Sequence, residues 1–177
     1  MVIKFLKNIY DSRQSNSLAT NLRRQRVSVF NSLLKSIPGP LKILDVGGTN
    51  IFWESIGFVN QGVGKVEITI MNVQENTASH PIFNSVVGDA RNMKEFKDQQ
   101  FDVVFSNSVI EHVGDYNDQL KMADEIRRVG KRYFVQTPNL YFPIEPHFVF
   151  PFFQFLPLGF KVWLLTHFDL GWYEKNS

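Results

Sequence analysis

No cysteine occurs among the 177 residues, which excludes disulfide staples and thiolate metal centres and fits a reducing compartment. Charge of one sign is scarce as well. The 19 Lys and Arg against 17 Asp and Glu leave a formal +2, an excess too small and too mixed for a nucleic-acid partner. No signal peptide is expected from MVIKFLKNIYDSR either, where charges interrupt the apolar residues and leave no continuous apolar core. A cytoplasmic location is the expectation. No internal repeat or low-complexity tract divides the chain, and a hydrophobic share of 44% is enough for a buried core. The expected organisation is one domain over 1–177, with an N-terminal helical segment 1–40, a core 41–139 and an aromatic segment 140–177.

What is present centres on Leu41 to Asn50, LKILDVGGTN. Ile43, Leu44 and Val46 suit a buried parallel strand, with Asp45 near its carboxyl end. Gly47 and Gly48 lack a Cβ, so the chain can turn through positive φ and a ligand can lie against bare backbone. A short helix expected over Ile51 to Phe58 would aim its N-terminus at that ligand. Open α/β sheets bind ligands in the crevice outside the carboxyl ends of their strands. A nicotinamide dinucleotide is disfavoured, because Gly47 to Phe52 does not supply the Gly-x-Gly-x-x-Gly approach that its pyrophosphate needs.

Before this strand, apolar positions at Leu18, Leu22, Val29, Phe30, Leu33 and Leu34 recur at helical spacing, and Pro38, Gly39 and Pro40 end the helix. Arg23, Arg24 and Arg26 read as a solvated face, with a phosphate or an acidic membrane surface as the alternative. Further strands are expected over Val66 to Met71, Ile82 to Val87, Phe101 to Phe105 and Tyr133 to Val135. An amphipathic helix from Asp115 to Arg128, apolar at Leu120, Ala123, Ile126 and Val129, precedes the last of them. Strands alternating with helices predict an α/β fold, a doubly wound, mostly parallel sheet.

ILDVGG, VVGDA, FDVVFSNSVIEHV and YFVQTPN, in this order, resemble successive motifs of class I S-adenosylmethionine-dependent methyltransferases of the ubiquinone-biosynthesis-like type. The resemblance runs from Leu41 to Asn139. It implies a Rossmann-like sheet of about five strands in order 3-2-1-4-5 and S-adenosyl-L-methionine as cofactor. It also implies methyl transfer to a small-molecule, sugar-derived or lipid-linked acceptor. Carried over by position, Asp45, Gly47 and Gly48 would hold the methionine end of the cofactor, Asn72 the ribose hydroxyls, and Asp89 and Ala90 the adenine. Ser106 and Asn107 would follow the fourth strand beside the methionine part and the acceptor pocket. The chain departs from the pattern twice. The third glycine of the first motif is missing, and Asn72 stands where the family usually has an acid, with Glu75 as an alternative. A non-catalytic relative that keeps the fold as a binding module is the competing reading.

Methyl transfer needs orientation of the nucleophile more than it needs catalytic side chains, and a nucleophile that carries a proton needs a base. His112 in IEHV is the candidate, since imidazole titrates in the right range. Tyr141, Glu145 and His147, on the proline-stiffened loop NLYFPIEPHF, are candidate acceptor contacts. Glu145 and His147 alone are too few ligands for a metal, so no metal site is expected.

From Phe148 to Leu165 only Gln154 and Lys161 are plainly polar. Pro151, Pro157 and Gly159 oppose one clean membrane-crossing helix. Three readings stay open: a lid over the acceptor, an element in peripheral contact with a membrane, or core awaiting a cover. The family usually adds two more strands after this region, which THFDLGWYEKNS does not supply. The expectation is a C-terminally short member, or one completed by a partner, with the edge of the fifth strand open to self-association.

Overall fold

In the computed structural model, which describes residues 18–58, 65–75, 80–145, 148 and 150–170, five parallel strands form one sheet in the expected order 3-2-1-4-5. They are β1 (Leu41–Val46), β2 (Val66–Asn72), β3 (Phe83–Val87), β4 (Val103–Asn107) and β5 (Tyr133–Gln136). Helix α1 (Leu18–Lys35) precedes the sheet, α2 (Asn50–Ser55) follows β1, and α3 (Tyr116–Val129) joins β4 to β5. The backbone contacts group into two compact units, one of Phe30–Pro138 and one built from the chain on either side of it.

Residues in the central strands alternate between two apolar layers, as a sheet buried on both faces requires. Ile43, Ile68, Ile70, Val103 and Phe105 join Phe30, Leu34, Trp53 and Phe58 in one layer. Leu44, Val46, Met71 and Val104 join Met93, Phe96, Met122, Ile126 and Val129 in the other. Phe30 and Trp53 pack ring to ring with Phe105, at centroid distances of 4.9 and 5.2 Å, and Phe58 packs on Trp53 at 5.0 Å.

By alternation Asp45 falls on the aromatic side, and it is fully buried there. Its Oδ2 accepts a hydrogen bond from Trp53 Nε1 at 2.7 Å, which ties the end of β1 to α2. Its Oδ1 is buried without a partner. Burial pushes the carboxyl pKa up to about 7, against the lowering effect of the Trp53 bond.

Asp115 caps α3 by accepting from Asp118 N at 3.0 Å. The helix buries Met122, Ile126 and Val129, a stripe at i, i+4 and i+7. Leu120, expected to face the core, is exposed. The packed stripe runs through Met122, and Leu120 lies off it. Arg128, in the last turn, fixes the segment that follows β3. Its guanidinium donates to Glu125 at 2.7 and 2.8 Å, to the carbonyls of Met93 and Phe96 at 2.9 Å each, and to Asp98 at 2.9 Å. Glu125 also accepts from Met93 N.

The strand limits move by one or two residues from the expected ones. Phe101 makes only an isolated bridge to Gly130, and β4 runs on to Asn107, so Ser106 and Asn107 lie inside the strand and not after it. Among the described residues no sixth strand joins this sheet.

The second unit holds the aromatic segment. Two short antiparallel strands, β6 (Ile144–Glu145) and β7 (Phe150–Pro151), lead through a 3-10 turn at Phe153–Phe155 into α4 (Leu158–His167). Phe153, Leu164 and Leu170 make a small core of their own, flanked by Phe148, Phe150, Leu156 and Leu165. The two polar residues of the run staple it internally. Gln154 Nε2 donates to the carbonyls of Leu140 and Phe142 at 3.0 and 2.7 Å, and Lys161 Nζ donates to Gln154 O at 2.9 Å.

Replacing Arg128 by Ala is expected to destabilise the protein by about 2 to 3 kcal/mol, since it orphans buried carbonyls and Glu125 together. Urea melts will read this. Arg128→Lys should recover little, because an ammonium cannot present the same fork. Asp45 predicts a pH dependence as well. The fold prefers its neutral form, so its contribution is full below the ordinary carboxylate pKa. That contribution falls by up to ~1.4 kcal/mol per pH unit as pH rises from about 4 towards about 7, then levels off. The difference in stability between wild type and Asp45→Asn across this range should therefore shift in favour of the variant as pH rises.

Candidate functional site

A cavity of about 470 Å³ opens at the carboxyl ends of β1, β2 and β4, where an open α/β sheet places its ligands. Val46, Gly47, Met71 and Asn72 line it from the first two strands. Gly88, Asp89, Ala90 and Arg91 line it from the turn after β3, and Ser108, Val109 and His112 from the turn after β4.

The glycine turn is a built feature. Gly47 adopts φ +78° and donates its N–H to Met71 O at 2.8 Å, and a Cβ there would come within 2.6 Å of the Val109 side chain. A Cβ on Gly48 would overlap the Asp45 carboxylate beneath it. Asn72 Nδ2 donates to Gly48 O at 2.9 Å, so the end of β2 holds the turn from the side. The amide oxygen of Asn72 is then the acceptor it can offer a ligand.

Asp89 is held by Arg91. The Arg91 Nε lies 3.0 Å from both carboxylate oxygens, its Nη2 2.7 Å from Oδ2, and its backbone N 2.9 Å from Oδ1. Arg91 Nη1 also reaches Asp118 on α3 at 3.4 Å. The side-chain bonds from Arg91, then its backbone bond, keep the Asp89 pKa below the usual carboxylate range. Asp89 is thus ionised and oriented at neutral pH, with its side chain still partly open to solvent.

Ser108 turns the chain off β4 in a left-handed conformation, φ 57°, with its N–H on Gln136 O at 2.8 Å. His112 closes the 3-10 turn of Ile110–His112, its N–H on Val109 O at 2.8 Å, and its exposed ring borders the cavity.

Of the residues singled out from the sequence, Gly47, Asn72, Asp89, Ala90 and His112 meet around one cavity. Asp45 and Gly48 do not border it: Asp45 is fully buried among the aromatic rings, and Gly48 sits against its carboxylate. Ser106 is buried and its Oγ donates to Val46 O at 3.2 Å, a tie between β4 and β1. Asn107 ends β4 with an exposed side chain, and neither residue borders the cavity. Tyr141 belongs to the second unit, where it is exposed and stacks on Phe155 at 6.1 Å. Glu145 has its backbone in β6, while its side chain and the whole of His147 lie outside the described residues. Sequence reasoning missed Arg91, Ser108 and Val109. Only Arg91 carried a signal, a cation two residues beyond an acid already assigned a ligand.

Residues 59–133 match the family model described as a methyltransferase domain. Two uncharacterized proteins of Mycobacterium tuberculosis, from strains CDC 1551 and H37Rv, are each 36% identical over 56 residues, 32% of this chain and 19% of theirs. The chain therefore matches about a fifth of the length of these curated relatives. Among solved structures, a putative methyltransferase from an antibiotic biosynthesis pathway of Anabaena variabilis aligns with TM-score 0.47 at 21% identity, over 81% of this chain and 61% of that one. A SAM dependent methyltransferase from Aquifex aeolicus aligns with TM-score 0.44 at 18% identity, over 57% of each chain. The family match covers β2, β3 and β4 and nearly all of the cavity rim, so this stretch of the chain is similar to a methyltransferase domain.

Proposed function

We propose that this chain binds S-adenosyl-L-methionine in the β1–β2–β4 cavity and transfers its methyl group to a small-molecule, sugar-derived or lipid-linked acceptor. The observation that carries the reading is the convergence of a bare glycine turn, an amide acceptor at Asn72 and an ionised acid at Asp89 on one cavity. At about 470 Å³ that cavity falls within the roughly 300–1,000 Å³ of small-molecule sites. The residues fit the cofactor in kind. The Asn72 oxygen can accept from a ribose hydroxyl and Asp89 from an adenine amino group, while Asp45 stays buried beneath the turn and off the cavity lining.

When bound, the cofactor supplies a methyl group made electrophilic by its sulfonium. The chain's own part is positional. Gly47 and Gly48 let a ligand approach the backbone, while Met71 and Val109 offer apolar walls. Arg91 holds the Asp89 carboxylate in one orientation, at the cost of sharing it. His112, on the rim, accepts the proton of a hydroxyl or amine acceptor.

A second reading, a binding module without catalysis, has one observation in its favour: Asp89 is already engaged by the Arg91 fork. Cofactor binding without methyl transfer across a broad acceptor screen would support it.

Calorimetric titration with S-adenosylhomocysteine, which is stable and needs no acceptor, tests the site first. Micromolar binding is expected, weakened about tenfold or more in Asp89→Ala, the scale of a lost hydrogen bond to a charged group. No binding by folded protein would sink the proposal. Given an acceptor, His112→Gln should lower kcat by about 10²-fold with S-adenosylhomocysteine affinity nearly unchanged. An unaltered kcat removes His112 as the base.

A further inference from the structure

The second unit presents apolar surface in a pattern that its own small core does not use. Helix α4 turns Lys161, Leu164 and Leu165 inward, at i, i+3 and i+4. Its outward arc should then be polar, yet it carries Leu158, Phe160, Val162 and Trp163, all exposed, and no acidic residue. Phe160 stacks on Trp163 at 5.5 Å, and Trp163 stacks on His167 at 5.2 Å. Immediately before and after the helix Phe152, Phe155 and Phe168 are also exposed, at 57%, 52% and 48%. Large side chains exposed together mark an interaction surface and not ordinary scatter.

The same unit contains the first turns of α1, with Arg23, Arg24 and Arg26 exposed. Helix α1 has no acidic residue along its length. Among the described residues no carboxylate pairs with any of these three arginines. Exposed aromatic and aliphatic residues rich in Phe and Trp, accompanied by exposed arginines and with no acid on either helix, resemble elements that lie in a lipid headgroup region. A protein partner would more often present carboxylates for those arginines and read one apolar stripe, whereas lipid accepts an apolar arc of any width. No described helix is long and apolar enough to cross a bilayer, so the contact is with the surface.

We infer that this unit docks on an anionic lipid bilayer, inserting Phe160 and Trp163 of α4 at the interface while Arg23, Arg24 and Arg26 meet the lipid phosphates. The inference is independent of the cofactor site.

The full chain is to be sedimented with phosphatidylcholine vesicles, with and without phosphatidylglycerol, at low and at high salt. Expected are binding to the anionic vesicles, weakening with salt, and a blue shift of tryptophan emission that Trp163→Phe diminishes. Phe160→Glu with Trp163→Glu should lose at least about tenfold in vesicle affinity. Arg23→Gln, Arg24→Gln and Arg26→Gln together should lose about fivefold or more for each arginine. All sites are exposed, and unchanged melting curves will show that the variants fold. Equal binding to neutral vesicles, or full binding by either variant, overturns the inference. So does a stable dimer in lipid-free solution that the glutamate variant dissociates and that leaves no vesicle binding, since the occupant of the apolar arc is then a second copy of this chain.

Discussion

A single buried hydrogen bond, from Trp53 Nε1 to Asp45 Oδ2, holds together the elements on which the site depends. Asp45 lies one residue before the end of β1, on a face whose other residues are apolar, so its carboxyl enters a layer of aromatic rings where an unsatisfied acid is costly. Trp53 answers it from the next helix. That fixes where α2 starts, and hence the path of the turn Gly47 to Thr49 between them. The turn in turn leaves no room: a side chain at Gly48 would occupy the space of the Asp45 carboxylate, and one at Gly47 that of Val109. A buried acid, an indole and two glycines thus define one geometry together.

A second constraint acts on the opposite wall. The segment after β3 carries Asp89, Ala90 and Arg91, and it would be a free loop without Arg128. That arginine binds two of its carbonyls and, with Glu125, anchors it to α3. Arg91 then reaches from Asp89 to Asp118 on the same helix. Helix α3 therefore orients the acid in the cavity without contributing to its lining, and a change on the far face of α3 can reach the site through these charged bonds.

The sheet was legible because alternation in ILDV and DVVF, and apolar runs spaced by polar connections, admit little besides parallel strands buried on two faces. Its order came from the resemblance of four motifs, and the observed order is the same. Legibility stopped where tertiary packing chose between equivalent local options. Both Leu120 and Met122 are apolar residues on an amphipathic helix, and only the neighbours of α3 decide which turns inward. Ser106 looked like a ligand contact by position. Its small hydroxyl instead bridges β4 to β1, a role that depends on strand spacing and leaves no trace in the sequence. Trp53 carries no signal of its role in the sequence, since its bond to Asp45 exists only once both elements are placed.

The two departures from the family pattern, Asn72 for an acid and a turn short of one glycine, meet in one interaction. Asn72 donates through Nδ2 to Gly48 O. A carboxylate at this position has no proton to donate and would set its charge against that carbonyl. With only two glycines the turn passes into α2 at Asn50, and a donor from the end of β2 restrains its carbonyl directly. An amide can restrain the turn with one end and accept from a ligand with the other, which an acid cannot do. The lack of an acid's charge at position 72 and the short glycine run are therefore one adjustment: side-chain chemistry at 72 supports a turn that has fewer glycines to shape it.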